Sequence, residues 1–232
     1  MAEHDEHRPD TETRAWMSWS SGKDSAFALH TARAAGVPVV GLLTTLNGDA
    51  ERVAMHGVRR TLLEAQADRL GLPLHQVDLP SPCPNGVYEE KMAEAMAVAA
   101  ADGVGTMVFG DLFLEDVRRY REANLAPTPI EPHFPIWGRP TDQLAHEMIE
   151  SGLRAVLTCV DRSQMPIELL GRPFDHELLA DLPDGTDPCG EHGEFHTFVW
   201  DGPGFSRPIP VETGEVVERD GFAFRDVVAV TT

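Results

Sequence analysis

The chain is poor in positive charge. Of its 232 residues, 19 are Lys or Arg and 38 are Asp or Glu, a net charge of −19, and only two of the cations, Lys23 and Lys91, are lysines. Proteins that grip nucleic acid through its phosphates need a basic surface, so this balance argues against a nucleic-acid partner. Cysteine is also scarce. Cys83, Cys159 and Cys189 are odd in number, widely spaced and contain no CxxC pair, which argues against a disulfide framework or a structural zinc site and fits a reducing, cytoplasmic setting. No apolar run approaches the ~18 residues of a membrane span. The opening MAEHDEHRPDTETR is acidic and polar, without the basic start and apolar stretch of a secretory signal, so residues 1–13 are expected to form a disordered tail.

What is present is an alternation of strand and helix. Ala15 to Trp19 is short and apolar, Asp24 to Ala35 has helix-forming composition, and Gly36-Val37-Pro38 is a helix stop. Val37 to Thr45 is a continuous apolar run of the kind buried on both faces of a parallel sheet. A polar loop over Asn47 to Met55 precedes a helix from His56 to Leu70, with Val58, Leu62, Ala65 and Leu70 on one face. Leu74 to Leu79 is a strand, Tyr88 to Ala99 has helical spacing, and Thr106 to Gly110 is the next buried strand. This pattern predicts an α/β fold, a parallel sheet with helices on both faces.

Beyond Asp116 the character changes. Glu115 to Asn124 is a charged helix, Ala126 to Pro135 is proline-rich, and Pro140 to Gly152 and Ala155 to Val160 form one more helix and strand. Met165 to Gly193 is loop-rich, and the end carries turn signals at Asp201-Gly202, Thr213-Gly214 and Asp220-Gly221. The expected division is a nucleotide-binding domain over residues 14–128 and a smaller α+β, substrate-binding domain over 129–232.

The most informative segment is Ser18-Trp19-Ser20-Ser21-Gly22-Lys23-Asp24-Ser25, between the first strand and the first helix. Small residues let backbone amides approach an anion closely, and the following helix adds a partial positive charge. Lys23 brings a mobile full charge, Ser25 a hydroxyl in the first turn, and Asp24 is placed to cap the helix or orient Lys23. A Walker A loop is excluded, because its Gly six residues before the Lys and its Ser or Thr directly after are here Met17 and Asp24. The other reading of the segment is a turn capping an ordinary helix, with Lys23 in solvent.

The segment resembles the SGGKDS pyrophosphate loop of the ATP-pyrophosphatase (PP-loop, N-type) superfamily, with Ser21 where the family usually has Gly. Two later stretches narrow the resemblance: Gly110 to Glu122, with Arg118 and Glu122 in register, and Cys189-Gly190-Glu191-His192-Gly193-Glu194, preceded by Pro135-Ile136-Trp137. Together they resemble the diphthine–ammonia ligase family over roughly residues 15–205. The resemblance implies an adenine nucleotide alpha hydrolase-like, Rossmann-like fold and an AMP-forming ligase that adenylates a carboxylate with ATP and Mg²⁺ and amidates it with ammonia. The acid is diphthine on elongation factor 2 in an archaeal or eukaryotic host, and otherwise a small acid.

On that resemblance Ser20, Ser21, Gly22, Lys23, Asp24, Ser25 and Gly110 bind the nucleotide. Lys23, Asp24, Arg118 and Glu194 act on the reacting groups, and Glu122, Glu191, Gly193 and Glu194 meet the substrate. Leu43 and Thr44, ending the second strand, are candidates to hold adenine by their backbone. His56 is a further candidate beside the nucleotide, though such a residue is more often only the first residue of a helix. Arg118 is a candidate anion clamp, whereas Arg119 and Arg121 read better as a solvated helix face. Glu191 and Glu194 divide evenly between two roles: binding or deprotonating the incoming amine, and anchoring a Gly-rich loop. No residue set reads as a metal site. Two other readings stay open: another PP-loop enzyme, tRNA-modifying or sulfur-transferring, and an adenine-nucleotide-binding protein without turnover.

Overall fold

The computed structural model describes residues 13–47, 52–53 and 57–230, with residues 52–53 as backbone only. The expected tail over residues 1–13 lies, but for Thr13, outside the described residues, as does His56.

The expected α/β fold is present. Strands β1 (Arg14–Ser18), β2 (Val39–Asn47), β4 (Leu74–Leu79), β5 (Val104–Val108) and β6 (Glu131–His133) form a parallel sheet, and β3 (Arg52–Val53) pairs antiparallel with the end of β2. β1 is central, with β2 and then β4 to one side and β5 and then β6 to the other. The chain therefore reverses its direction of progress between β1 and β5, and the crevice at the carboxyl ends of those two strands is where an open α/β sheet takes its ligand.

Both faces of the sheet are covered. Successive side chains of a strand point to opposite sides, and in β1 Ala15 and Met17 join one hydrophobic cluster while Trp16 joins another. Helices α1 (Lys23–Ala34) and α2 (Arg60–Leu70) cover the first face. Helices α3 (Asn85–Ala101) and α4 (Glu115–Leu125) bury Met96, Ala99 and Leu125 on the second. α2 ends where Gly71 takes a left-handed conformation that suits glycine.

The C-terminal part adds α5 (Thr141–Glu150), α6 (His176–Ala180) and an antiparallel sheet ordered β8 (Phe195–Asp201), β7 (Arg154–Asp161), β10 (Phe222–Ala229), β9 (Val211–Arg219). Its inward residues Leu157, Phe198 and Val199 share one cluster with Phe27 and Leu29 of α1 and Met148 of α5. The second sheet is thus packed against the helix that follows the phosphate-loop segment.

One local turn expectation holds and two others change. Asp220 (φ 53°) and Gly221 (φ 87°) form the two-residue turn of the β9–β10 hairpin, as a Asp-Gly pair favours. Thr213-Gly214, by contrast, lies inside β9 rather than in a turn: Thr213 pairs with Val227, and Gly214 and Glu215 together oppose Asp226 as a bulge. Within the proline-rich stretch, residues 131–133 form edge strand β6, a position that tolerates Pro132.

Candidate active site

The segment between β1 and α1 crosses the carboxyl edge of the sheet and is tied down on all sides. Trp19 N donates to Leu43 O at 2.7 Å, and Ser21 O accepts from Val199 N at 3.0 Å. Lys23 N donates to Thr197 Oγ1 at 3.1 Å. Gln66, fully buried on α2, accepts from Trp19 Nε1 at 2.8 Å and donates to Ser21 O at 3.1 Å and Val199 O at 2.6 Å. Ser20 Oγ donates to Ser25 Oγ at 3.1 Å, which donates in turn to Gly22 O at 3.0 Å. Ser21, at the position where the resemblance has Gly, has φ 73°. It is fully buried, and its hydroxyl finds no partner among the described residues.

First-turn amides of a helix have no intrahelical acceptor. That of Lys23 is taken by Thr197, whereas Asp24 and Ser25 border a cavity of about 800 Å³. Gly110 closes this wall: a Cβ there would lie 2.9 Å from Asp24 C and 2.9 Å from Ser25 N. Only glycine lets the loop after β5 come so near the start of α1.

Lys23 is not the mobile charge that the sequence suggests. Its side chain is 2% exposed, and Nζ donates to both carboxylate oxygens of Asp24 at 2.9 Å and to the carbonyl of Cys189. It lies 5.2 Å from the ring centre of Phe195 and 5.7 Å from that of Phe174. Burial by itself depresses its pKa, but Asp24, with Cys189 and Glu191 behind it, more than reverses this and keeps the ammonium charged. Asp24 therefore orients Lys23, and the pair rivets the start of α1 to the Cys189 loop.

The loop over residues 187–194 forms the opposite wall. Asp187 Oδ1 accepts from Cys189 N at 2.7 Å, and Glu194 Oε1 accepts from Asp187 N at 2.9 Å. Glu194 is 2% exposed and sits beneath the loop. Gly190 (φ 68°) and Gly193 (φ 83°) make the sharp bends that glycine permits. Glu191, Gly193 and His196 border the cavity. Glu191 Oε1 accepts from Leu112 N at 2.9 Å. Burial, reinforced by Asp24 and Asp111, pushes its carboxyl up to about 7, against the opposing pull of the Leu112 amide and Lys23.

The two arginines are placed the other way round from expectation. Arg118 pairs with Glu122 at 2.8 Å and lies over the Phe134–Trp137 pair, 4.9 and 4.8 Å from their ring centres, away from the cavity wall. Arg121 borders the cavity, 3.6 Å from Asp111 and 5.1 Å from the ring centre of Phe109. Asp111 Oδ2 and Arg121 Nε are buried without hydrogen-bond partners among the described residues. Burial raises the Asp111 carboxyl even so, against the pull of Arg121.

On the β2 side, Leu43 and Thr44 also border the cavity, and Thr44 Oγ1 is buried with no hydrogen-bond partner among the described residues. Tyr88, Met92, Met96 and Met107 extend the cavity as a largely apolar crevice beside α3. A helix N-terminus, an orphaned hydroxyl and an apolar crevice around one cavity are the kinds of group that suit the parts of a nucleotide. Gln66 escaped the sequence reading, which also took Arg121 for a solvated helix face. Gln66 left a signal: it stands at i+4 from Leu62 and i−4 from Leu70, a polar residue on an apolar stripe.

The fold and this cavity define an α/β protein with a cavity at the switch point of its sheet, bordered by the start of α1. The model of the diphthamide synthase N-terminal domain matches residues 13–123, and that of the diphthamide synthase C-terminal domain matches residues 140–227. The chain is 28% identical to the diphthine–ammonia ligase of Danio rerio over 232 residues, covering 90% of each chain. It is 27% identical to that of Bos taurus and 26% to that of Homo sapiens over 231 residues, in both cases 90% of this chain and 86% of the relative. The chain belongs to the diphthamide synthase family, and these relatives are named as ligases.

Proposed function

We propose that the protein is an ATP-dependent, AMP-forming amide ligase that adenylates a carboxylate and then amidates it with ammonia. One observation carries this reading: the Ser20–Ser25 anion site and the Glu191 loop, 166 residues apart at Lys23 and Cys189, face each other across a single cavity. A carboxylate oxygen is a poor leaving group, and transfer of AMP to it turns it into a good one. The protein's task is then to position and to neutralise charge.

In this reading the amides of Asp24 and Ser25 and the hydroxyl of Ser20 hold the phosphates. Ser21, Gly22 and the Lys23–Asp24 pair keep that loop in shape, so Lys23 contributes a fixed positive field rather than a flexible arm. Gly110 admits the helix end, and Leu43 and Thr44 meet the adenosine. Arg121, rather than Arg118, is the cation available to the acid, and the Arg118–Glu122 pair braces α4. Glu194 anchors the Glu191 loop, and Gly193 shapes it. Among the described residues no group of three His, Cys, Asp or Glu side chains is placed to hold a metal ion. Mg²⁺ would therefore arrive on the phosphates, where it neutralises their charge.

The segment over residues 14–128 carries the nucleotide, and that over 129–232 governs the choice of acid. That acid is diphthine on elongation factor 2 where the host makes it, and otherwise a small carboxylic acid. Sulfur transfer fits less well. Cys159 and Cys189 are buried, burial pushes the Cys159 thiol up to about 12 and raises that of Cys189, and neither offers a thiolate near neutrality. A tRNA substrate conflicts with the net charge of −19. No helix among the described residues is long and apolar enough to cross a membrane, which accords with a cytoplasmic enzyme.

The test is incubation with ATP, Mg²⁺ and ammonium, together with diphthine-bearing elongation factor 2 or a panel of small carboxylic acids. Equal amounts of AMP, pyrophosphate and amide are expected. ADP and phosphate, or no turnover with any acid, would overturn the reading.

A further inference from the structure

Of the carboxylates around the cavity, Glu191 is placed differently from the others. Asp24 is locked to Lys23 and Asp111 faces Arg121. Glu194 lies beneath its loop, away from the cavity wall. Glu191 borders the cavity, forms no salt bridge among the described residues, and has one oxygen fixed by Leu112 N. That bond orients the carboxyl and leaves the second oxygen without a hydrogen-bond partner among the described residues. The groups facing it are Lys23 and Asp24 from α1 and Asp111 with the Leu112 amide from the β5–α4 loop, while Arg121 lies beyond Asp111. His192, its neighbour in the chain, turns edge-on to Phe113 at 5.2 Å.

Ammonia in water near neutrality is almost entirely ammonium, which has no lone pair with which to attack. A ligase that uses it must attract the cation and then remove one proton beside the acyl adenylate. We infer that Glu191 is the proton acceptor that converts bound ammonium to ammonia in this cavity. The inference rests on the ligase reading and assigns the second half of that reaction to one residue. Ammonium gives a proton to the Glu191 carboxylate, forming ammonia and a neutral carboxyl. The nitrogen lone pair forms the C–N bond at the acyl carbon. The bond from that carbon to the AMP oxygen breaks, and its electron pair leaves with AMP. The surplus proton on nitrogen is released to solvent, and Glu191 loses its own to return to the carboxylate. A carboxyl pushed up to about 7 divides its time between the two states this cycle needs.

The experiment compares two nucleophiles. Hydroxylamine is a neutral nucleophile near neutral pH and needs no deprotonation before it attacks. With ATP and Mg²⁺, and with diphthine-bearing elongation factor 2 or the small acid found active above, ATP–pyrophosphate exchange reports adenylation. Amide formation reports attack by ammonia, and hydroxamate formation reports attack by hydroxylamine. Glu191→Gln is expected to lower amide formation by about 100-fold or more, the usual reach of a general base. Exchange and hydroxamate formation should stay within a few-fold of the wild type. Glu191→Asp should restore part of the ammonia reaction, and the residual amidation by Glu191→Gln should track the fraction of free ammonia, rising about tenfold per pH unit through neutrality, where the wild-type rate levels off once Glu191 has lost its proton. Equal loss of amide and hydroxamate, or loss of neither, would overturn the assignment while leaving the ligase reading intact. Absence of exchange and of both products in the wild type would instead overturn the ligase reading, and this inference with it.

Discussion

Ser21 carries two penalties at once, and each can be removed separately. At φ 73° its Cβ crowds its own backbone, a left-handed conformation that costs an L-residue about 1–2 kcal/mol. Its hydroxyl is fully buried with no partner among the described residues, and an unsatisfied polar group of this kind costs about 1–3 kcal/mol. Ser21→Gly removes both, and the greater freedom of glycine in the unfolded chain returns about 0.4–1 kcal/mol. The net expectation is a gain of roughly 1–4.6 kcal/mol. At about 2–4 °C per kcal/mol for a chain of this size, the melting temperature should rise by several degrees. Ser21→Ala removes the hydroxyl but keeps the left-handed backbone, so it should fall between the wild type and Ser21→Gly. Urea unfolding of the three proteins, with the slope checked for constancy, measures the order directly. A Ser21→Gly protein less stable than the wild type would refute the reasoning, and equal stability of the Gly and Ala variants would show that the backbone strain only matches the roughly 0.4–1 kcal/mol that glycine returns.

Gln66 supplies a complementary expectation. Gln66→Leu keeps the apolar stripe of α2 but strips partners from Trp19 Nε1 and Val199 O, both bonded to the glutamine at hydrogen-bond distance. At about 1–3 kcal/mol for each orphaned buried group, the protein should lose about 3 kcal/mol in urea unfolding. A loss under about 0.5 kcal/mol, the scale of an ordinary surface change, would mean that the glutamine is not the tie between the loop and β8.

The strand–helix alternation of the first part was legible because each signal is local. A two-sided apolar strand such as β2 and a helix closed by Gly71 are fixed by a few neighbouring residues. The candidate anion loop could be picked out for the same reason, since small residues before a helix suffice to suggest one. What was not legible depends on partners far along the chain. Lys23 looks free until Phe174, Cys189 and Phe195 are brought against it. Arg118 and Arg121, three apart on α4, are neighbours on one helix face. The Phe134–Trp137 pair takes one and the cavity the other, and no spacing reveals which. The dipeptides Thr213-Gly214 and Asp220-Gly221 look alike as turn signals, yet strand register makes the first a bulge and the second a hairpin. Glu191 and Glu194 likewise sit in one short motif, and only the fold turns the first toward the cavity and the second beneath its loop.

The central claim is that the end of β1 and the start of α1 cradle the phosphates of a nucleotide, and calorimetry with ATP and Mg²⁺ tests it most directly. The wild type should give a saturable heat of one site. Gly110→Ala, whose new methyl would lie 2.9 Å from the Ser25 amide, should remain folded by circular dichroism yet bind at least about tenfold more weakly, a loss of about 1.4 kcal/mol. No heat from the wild type, or equal binding by the two proteins, would contradict the account.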